Sequence, residues 1–566
     1  MKKTIILTAI SIAASLFMIS GCNSLDLSPD NQLSSGTFWK TETHARQAIV
    51  GVYAMLRDAN ICGEIFEEDA GGFIGTGYDR GFFNVVKGSY NSTTGVVTSK
   101  WSALYEGVAR ANSVIQNVSK MTDYLDQPTI DKYVGEAKFL RAYFYNMLLN
   151  YWGGVPIYDE SVVVAEKFSE MKEPRSTAEQ VREFILKDLD AAIAVLPEQG
   201  SWAASDYGRA TKGAAQALKG KVLLYAKDYA GAATQFQSVI SSGKYSLYKS
   251  YPDLFRPGGD ASDEMVFAVQ NIGGVGTDFG MPMCFYMGTR STFGSCWDNF
   301  TASTRFVDSY ENLDGTPFNW DDWFPGFNSD NKVKEEVFLL QNGSSYQNPE
   351  RPAQVDKLLE MYNNRDPRMA WTIILPYTHY LGWASNKERD MEYIIPASGS
   401  GNENYGSVRV NNSWKIYLFR KFVPEGNMKG AINNRSHTPI NFPLIRYADV
   451  LLMYAECLNE TGKTAEAATY VNMVRERVGM PGVTATTKDE MFKAIKHERE
   501  VELAAEGHSY MDYKRWGLLE ELNGVAELNL IGGNLYKHAT ASRDYLFPIP
   551  NAEIDKNPAL TQNPGW

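Results

Sequence analysis

Apolar side chains recur at three- and four-residue spacing from about residue 43, and again over 99–120 and 129–151. That is the period of one buried helix face. Thr43 is the expected N-cap of the first run. The third run ends in Tyr151-Trp152-Gly153-Gly154-Val155-Pro156-Ile157. Paired glycines stop a helix, and a proline holds the residue before it extended. Further on, Gly220, Ala232 and Phe236 stand at the spacing of a tetratricopeptide unit. There, small residues let two antiparallel helices approach and a ring fills the gap below them. Ala455, Ala467 and Val471 repeat the spacing, with Gly462 at the turn. Between these units, over 256–430, helical periodicity fades. Gly, Asn, Asp and aromatics are dense there, and short strand-like pieces such as residues 265–269 intrude. Loops this long in a compact protein usually carry function. The expected fold is mainly α: a tetratricopeptide-like helical-repeat scaffold with a large, irregular, loop-rich elaboration containing short strands.

The N-terminus sets the expected compartment. Lys2 and Lys3 precede an apolar stretch over 5–19, which ends in Ile19-Ser20-Gly21-Cys22. The stretch is short for a membrane span and suits a signal-peptide core. Small residues before a cysteine resemble a bacterial lipobox, in which Cys22 is acylated and becomes the first residue. The alternative is an ordinary signal peptide with a bystander cysteine; positive region, apolar core and small-residue site in the right order favour the lipobox. Two or three acyl chains anchor a protein stably. The expected organisation is a removed leader over 1–21, a lipidated tether over 22–42, and an N-terminal helical part over 43–255. The elaboration over 256–430 and a C-terminal helical part over 431–566 follow, as one interwoven unit.

Composition narrows the function classes. The 566 residues include 32 Tyr, 27 Phe and 12 Trp, with a formal charge of −12. No Lys/Arg run offers the positive footprint that nucleic-acid binding needs. The remaining cysteines, Cys62, Cys284, Cys296 and Cys457, form no C-x-x-C or Cys/His cluster, so no metal is expected. Cys284 and Cys296 fit either a small disulfide loop in an oxidising exterior or two thiols. Cys457 reads as a buried thiol.

Catalytic patterns are lacking. No G-x-S-x-G elbow occurs, and the glycines of 75–81 are wrongly spaced for a dinucleotide loop. His497-Glu498 lacks a second histidine at Val501. Cys457-x4-Gly462-Lys463-Thr464 falls in a helical hairpin and has Cys where a phosphate loop has Gly. Glu502 and Glu506 share a helix face with Arg499, and Asp512 and Arg515 follow. Carboxylates interleaved with arginines read as a structural ion-pair network, because arginine depresses the pKa that a general acid needs raised. Neither an enzyme nor a cofactor is expected.

Several segments, in order along the chain, resemble the SusD/RagB-type outer-membrane nutrient-binding lipoproteins. They are Cys22; Trp101-x2-Leu104-Tyr105-x-Gly107-x2-Arg110-Ala111-Asn112; Glu136 to Tyr143 leading into Tyr151-Trp152-Gly153-Gly154; and Asn364-Arg365-Asp366-Pro367-Arg368. Ile445-Arg446-Tyr447-Ala448-Asp449 with Glu456, Arg475 and Arg477, Glu498 to Leu503 with Glu506, and Asp512-x2-Arg515-Trp516-Gly517 come next. Phe547-Pro548-Ile549-Pro550 and Gln562-Asn563-Pro564-Gly565 close the series. The resemblance implies a helical core with tetratricopeptide-like units and a lipid-anchored, surface-exposed place in the outer membrane. It also implies oligo- or polysaccharide binding without cleavage, and delivery to a SusC-like TonB-dependent transporter that the protein caps. Some members bind peptides instead, a reading the acidic charge alone supports here; a surface glycosidase using Glu502 and Glu506 is the weaker alternative.

A sugar ring has an apolar C–H face bordered by hydroxyls, so an aromatic platform with a few polar groups can hold it. Trp101, Tyr105, Tyr143, Trp152 and Trp516 lie inside scaffold motifs and are expected to pack. Outside those motifs, rings cluster over 73–90 and 279–327, broadly where the resemblance places ligand contacts. Phe82, Phe83 and Phe285, lacking a polar handle, are expected to pack. The binding candidates are Tyr78, Arg80, Tyr286, Trp297, Trp320 and Trp323.

Overall fold

The computed structural model describes residues 38–77, 81–162, 171–273, 279–341, 344–411 and 414–566. The leader, the tether and Cys22 lie outside the described residues, as do Tyr78 and Arg80. The long helices of the N-terminal part are α1 (Glu42–Tyr53), α2 (Gly95–Val118), α3 (Gln127–Trp152), α4 (Ala178–Val195), α5 (Lys212–Tyr225) and α6 (Tyr229–Ser241). Those of the C-terminal part are α7 (Tyr447–Glu460), α8 (Thr464–Glu476) and α9 (Lys488–Glu502). Their ends follow local chemistry. Thr41, two residues before the expected cap, has extended backbone and accepts from the His44 N–H, so α1 begins earlier. Asp126 caps α3, which stops at Gly153 with φ +73°, a conformation that favours glycine. Thr177–Gln180 and Thr487–Glu490 form capping boxes at α4 and α9.

Each helix packs against the next from α1 to α6. The expected repeat contact is present: a Cβ at Gly220 on α5 would lie 2.5 Å from Cε1 of Phe236 on α6, so only glycine permits this approach. The second hairpin, α7 and α8, docks through α7 onto α6, and α9 crosses both. The two repeat units, about 200 residues apart in sequence, thus form one stack. Among the described residues no helix is long and apolar enough to cross a membrane.

Strands are short and antiparallel, in five separate pairs among the described residues. Three of these pairs organise the elaboration. β1 (Gly75–Gly77) pairs with β3 (Phe300–Ala302), β2 (Met265–Val269) with β8 (Phe442–Arg446), and β4 (Ile373–Ile374) with β7 (Leu418–Phe419). β5 (His379–Ala384) and β6 (Lys387–Glu392) form a hairpin, as do β9 (Ala526–Leu528) and β10 (Asn534–Lys537). The core runs without interruption from the helices into this region. Phe300 is its link, with its ring 5.8 Å from Phe66 and stacked at 5.0 Å on Phe419.

The motif residues act as buried cross-braces. On α3, Arg141 holds Asp188 of α4 through hydrogen bonds of 2.7 and 2.8 Å and donates to Asn112 of α2 at 2.6 Å. Arg446 bonds Glu264 at 2.8 Å, Glu502 at 2.6 Å and Glu506 at 2.8 Å, and all four side chains are fully buried. Glu502 also meets Arg368 at 3.0 Å and Arg477. Burial by itself raises a carboxyl pKa, but Arg477, Arg446 and Arg368 outweigh it and hold Glu502 far below the ordinary range. A carboxyl so acidic and so enclosed cannot serve as a general acid, which removes the glycosidase reading of this pair.

Candidate functional site

β1 and β3 bring the two aromatic-rich stretches together. Gly77, the last residue before Tyr78, pairs with Phe300, three residues beyond Trp297. The pairing requires glycine: Cβ atoms at Gly75 and Gly77 would fall 2.1 Å from the Phe300 ring and 2.0 Å from the Asn299 carbonyl oxygen. Ahead of β3 the chain makes one helical turn, Met283–Met287, and folds back on itself. Gly288 N–H donates to Cys284 O at 2.8 Å, Cys296 N–H to Thr289 O at 2.9 Å, and Trp297 N–H to Phe285 O at 3.0 Å. Gly294, Ser295 and Asp298 all have left-handed backbone, with φ of +76°, +60° and +40°. These reversals turn the Trp297 side chain outward while its neighbours, Cys296 and Asp298, are buried.

Trp297 is 40% exposed, and its ring lies 5.0 Å from that of Phe285 at 39°. Tyr286 meets Phe285 edge-on at 4.9 Å and is half-buried against the core. Arg290 stands 5.8 Å from the Trp297 ring and Arg435 stands 4.8 Å from the Phe285 ring, both within reach of a cation–π attraction. Arg290 Nε donates to Asn411 Oδ1 at 3.0 Å, and Asp298 Oδ1 accepts from the Asn411 N–H at 2.8 Å. Burial pushes the Asp298 carboxyl well above the usual carboxylate range. Underneath, Cys284 and Cys296 are two buried thiols with Sγ atoms 3.2 Å apart, in a small apolar cluster with Ile432. Burial and the Cys296 contact raise the Cys284 pKa, which disfavours its thiolate.

This arrangement offers a ring face with guanidinium and amide donors beside it, which is binding chemistry. No group of three or more His, Cys, Asp or Glu among the described residues forms a metal site.

The remaining candidates separate. Trp320 is only 4% exposed; it stacks on Phe327 at 4.0 Å, and its indole N–H donates to Asp308 at 2.7 Å. Both faces and the polar edge are committed to packing, so Trp320 has no ring surface to offer and leaves the candidate set. Trp323, on the same helical turn, is half-buried against the core and makes no ring contact with the Trp297 group among the described residues. Phe82 and Phe83 are buried, as expected. Phe285 corrects expectation: it is half-exposed and forms the ring pair with Trp297. Asn411 and Arg435 carried no signal in the sequence, because more than 100 residues separate them from the loop they complete. Of the scaffold rings, Trp101, Tyr143 and Trp152 are buried, and the Trp152 indole donates to Pro548 O at 2.9 Å, tying α3 to the terminal Phe547-Pro548-Ile549-Pro550 segment.

Fold and motif braces together define a helical-repeat binding scaffold, and comparison with known proteins identifies its class. The family model described as SusD family matches residues 263–566, and one described as starch-binding, associating with outer membrane, matches residues 23–224. The chain belongs to the SusD family, whose members are non-catalytic, glycan-binding proteins associated with the outer membrane. SusD-like protein P25 of Formosa agariphila is 26% identical over 591 aligned positions, covering 98% of each chain. Of solved structures, a SusD-like carbohydrate-binding protein of Bacteroides fragilis superposes with a TM-score of 0.75 at 23% identity, covering 93% of this chain and 100% of the other. A laminarin-binding SusD-like protein superposes at 0.62 with 25% identity, again covering 93% of this chain and 100% of that one.

Proposed function

We propose that this protein captures oligo- or polysaccharide at the cell surface through a platform centred on Trp297, with Phe285, Tyr286 and Arg290 around it. It holds the glycan without cleaving it and delivers it to a SusC-like TonB-dependent transporter that it caps. Acylated Cys22 and the tether behind it keep the protein on the outer membrane. The observation that carries the platform is the exposed Trp297 ring on a reversed loop, at the point where β1 and β3 join the two aromatic stretches. Tyr78 and Arg80, directly after β1 in the chain, belong to the same proposal on sequence grounds.

Calorimetry with a panel of soluble polysaccharides tests the platform. Laminarin and starch belong in the panel because a relative and the N-terminal family model carry those descriptions. Trp297→Ala is expected to weaken binding by about 30-fold or more, since a central aromatic anchor contributes roughly 2 kcal/mol or more. Unchanged affinity in a folded Trp297→Ala protein would place the site elsewhere. Binding of basic peptides in place of any glycan would establish the peptide-binding alternative. Metabolic labelling with a fatty acid, lost in Cys22→Ser, tests the anchor; co-purification of a TonB-dependent barrel from detergent extracts tests the partner.

A further inference from the structure

The Trp297 platform is locally positive on an acidic chain of net charge −12. Several arginines on this surface are matched with carboxylates: Arg409 with Glu403 at 3.0 Å, Arg420 with Glu425 at 2.7 Å, Arg351 with Glu392 at 2.8 Å; others, such as Arg175, are held by neutral oxygens. The two guanidiniums beside the platform are of the second kind. Arg290 donates through Nε, at 3.0 Å, and Nη2 to the side-chain amide oxygen of Asn411. Arg435 donates through Nη1 to the main-chain carbonyls of Gly294, at 2.8 Å, and Ser295. Neutral oxygens orient a cation without cancelling its charge, and neither arginine has a carboxylate hydrogen-bonded to it among the described residues. Asp298, beneath Trp297, spends Oδ1 on the Asn411 N–H; burial raises its pKa, the Asn411 bond and the Arg290 charge oppose that rise, and it makes no hydrogen bond to Arg290. Each guanidinium keeps further N–H donors unused by these bonds, in the fork geometry that suits carboxylate and sulfate oxygens.

We infer that the Trp297 platform takes an acidic glycan, with a sugar face on Trp297 and an anionic substituent met by Arg290 and Arg435. The inference rests on the platform reading above and names its ligand class. Carboxylate and sulfate substituents share the required chemistry: planar or tetrahedral oxygens carrying charge, set on a ring that still presents a C–H face. Arg290 lies by the Trp297 ring and Arg435 by the Phe285 ring, and the two ring centroids are 5.0 Å apart, about the width of one sugar residue.

The test toggles charge on a constant backbone. Polygalacturonate is compared with its methyl ester, and dextran sulfate with dextran, alongside laminarin and starch as neutral glucans. The proteins are wild type, Trp297→Ala, the double variant Arg290→Gln/Arg435→Gln, and the charge-keeping Arg290→Lys/Arg435→Lys. Circular dichroism and thermal melting confirm that each folds. The expected result is that at least one acidic polymer binds about ten-fold or more tighter than its neutral partner, the scale of one charge-assisted hydrogen bond. That preference weakens with salt, disappears in the glutamine double variant and survives in part in the lysine variant. The carboxylate and sulfate arms then say which substituent is preferred. A wild-type protein that binds only neutral glucans, with Trp297→Ala abolishing it, overturns this inference and leaves the platform standing. Acidic-polymer binding that the glutamine variant retains also overturns it, by placing the contact elsewhere on the surface. Binding of either class that Trp297→Ala leaves intact, or no binding by any polymer in the panel, overturns both.

Discussion

Glu502 supplies the most direct test of how the scaffold is braced. Its carboxylate is fully buried and is shared by Arg446 at 2.6 Å, Arg368 at 3.0 Å and Arg477. Glu502→Gln keeps the shape and much of the hydrogen bonding but removes the negative charge, leaving those arginines partly uncompensated. Taking one partner from a buried ion pair costs about 3–5 kcal/mol. With an unfolding entropy of about 2.1 cal/mol/K per residue, a chain of this length loses roughly 3–4 °C of Tm for that change. Differential scanning calorimetry at pH 7 measures it. The sign of the pH dependence adds a second reading. Because the folded carboxyl titrates far below its unfolded value of about 4.3, its contribution is full above that value and is lost as pH falls toward the folded one. The gap between wild type and Glu502→Gln therefore narrows in acid. Glycan affinity below the melting range is expected to stay at the wild-type level. An unchanged Tm at pH 7, or a gap that widens in acid, would refute the bracing argument. A normal Tm with glycan binding abolished would return this carboxylate to a functional role.

Trp320 and Trp297 should behave as opposites. Trp320→Ala removes a ring stacked on Phe327 and the donor to Asp308, and is expected to cost about 3–5 kcal/mol of stability without touching ligand affinity, as denaturant melts and calorimetry will show. Trp297→Ala is expected to leave the denaturant midpoint nearly unchanged while abolishing most binding. Gly220→Ala drives a methyl into Phe236 and should destabilise by about 1–3 kcal/mol, read from the same melts. His508 is buried beside Lys221, and burial first, then that cation, pushes its pKa down to about 4. Its folded value lies below the unfolded value of about 6.5, so the stability it carries is present above pH 6.5 and is lost as pH falls toward 4. The stability difference between wild type and His508→Gln should slope through that window and be flat above it.

Much of this molecule is decided by chemistry local in the chain. The helix spans follow apolar spacing and capping residues: Asp126 and the Gly153 stop bracket α3 wherever the rest of the protein goes. Gly220 with Phe236 announces a close helix pair because both partners lie in one hairpin. The carboxylates Glu502 and Glu506 were legible as structure because Arg499 and Arg515 stand close by in the chain, but the partners of Glu502 are the distant Arg446, Arg368 and Arg477, while Arg499 pairs with Asp449 and Asp512. Local reasoning also singled out the stretch in which Trp297 stands exposed, because its rings lie among glycines in a loop-rich region.

It did not find which ring is exposed. Trp297 and Trp320 stand in similar Gly- and Asp-rich surroundings, and nothing in their neighbours along the chain separates them. The separation comes from residues that fold against them. Phe327 and Asp308 close over Trp320, whereas three left-handed residues, Gly294, Ser295 and Asp298, turn Trp297 away from the core. The charge of the platform has the same origin, because Asn411 and Arg435 reach the loop only through the tertiary fold. Helix formation and capping depend on contacts within a few residues and are written in the sequence as patterns. Exposure depends on what else occupies the surrounding space, and for these rings only the packed chain decides it.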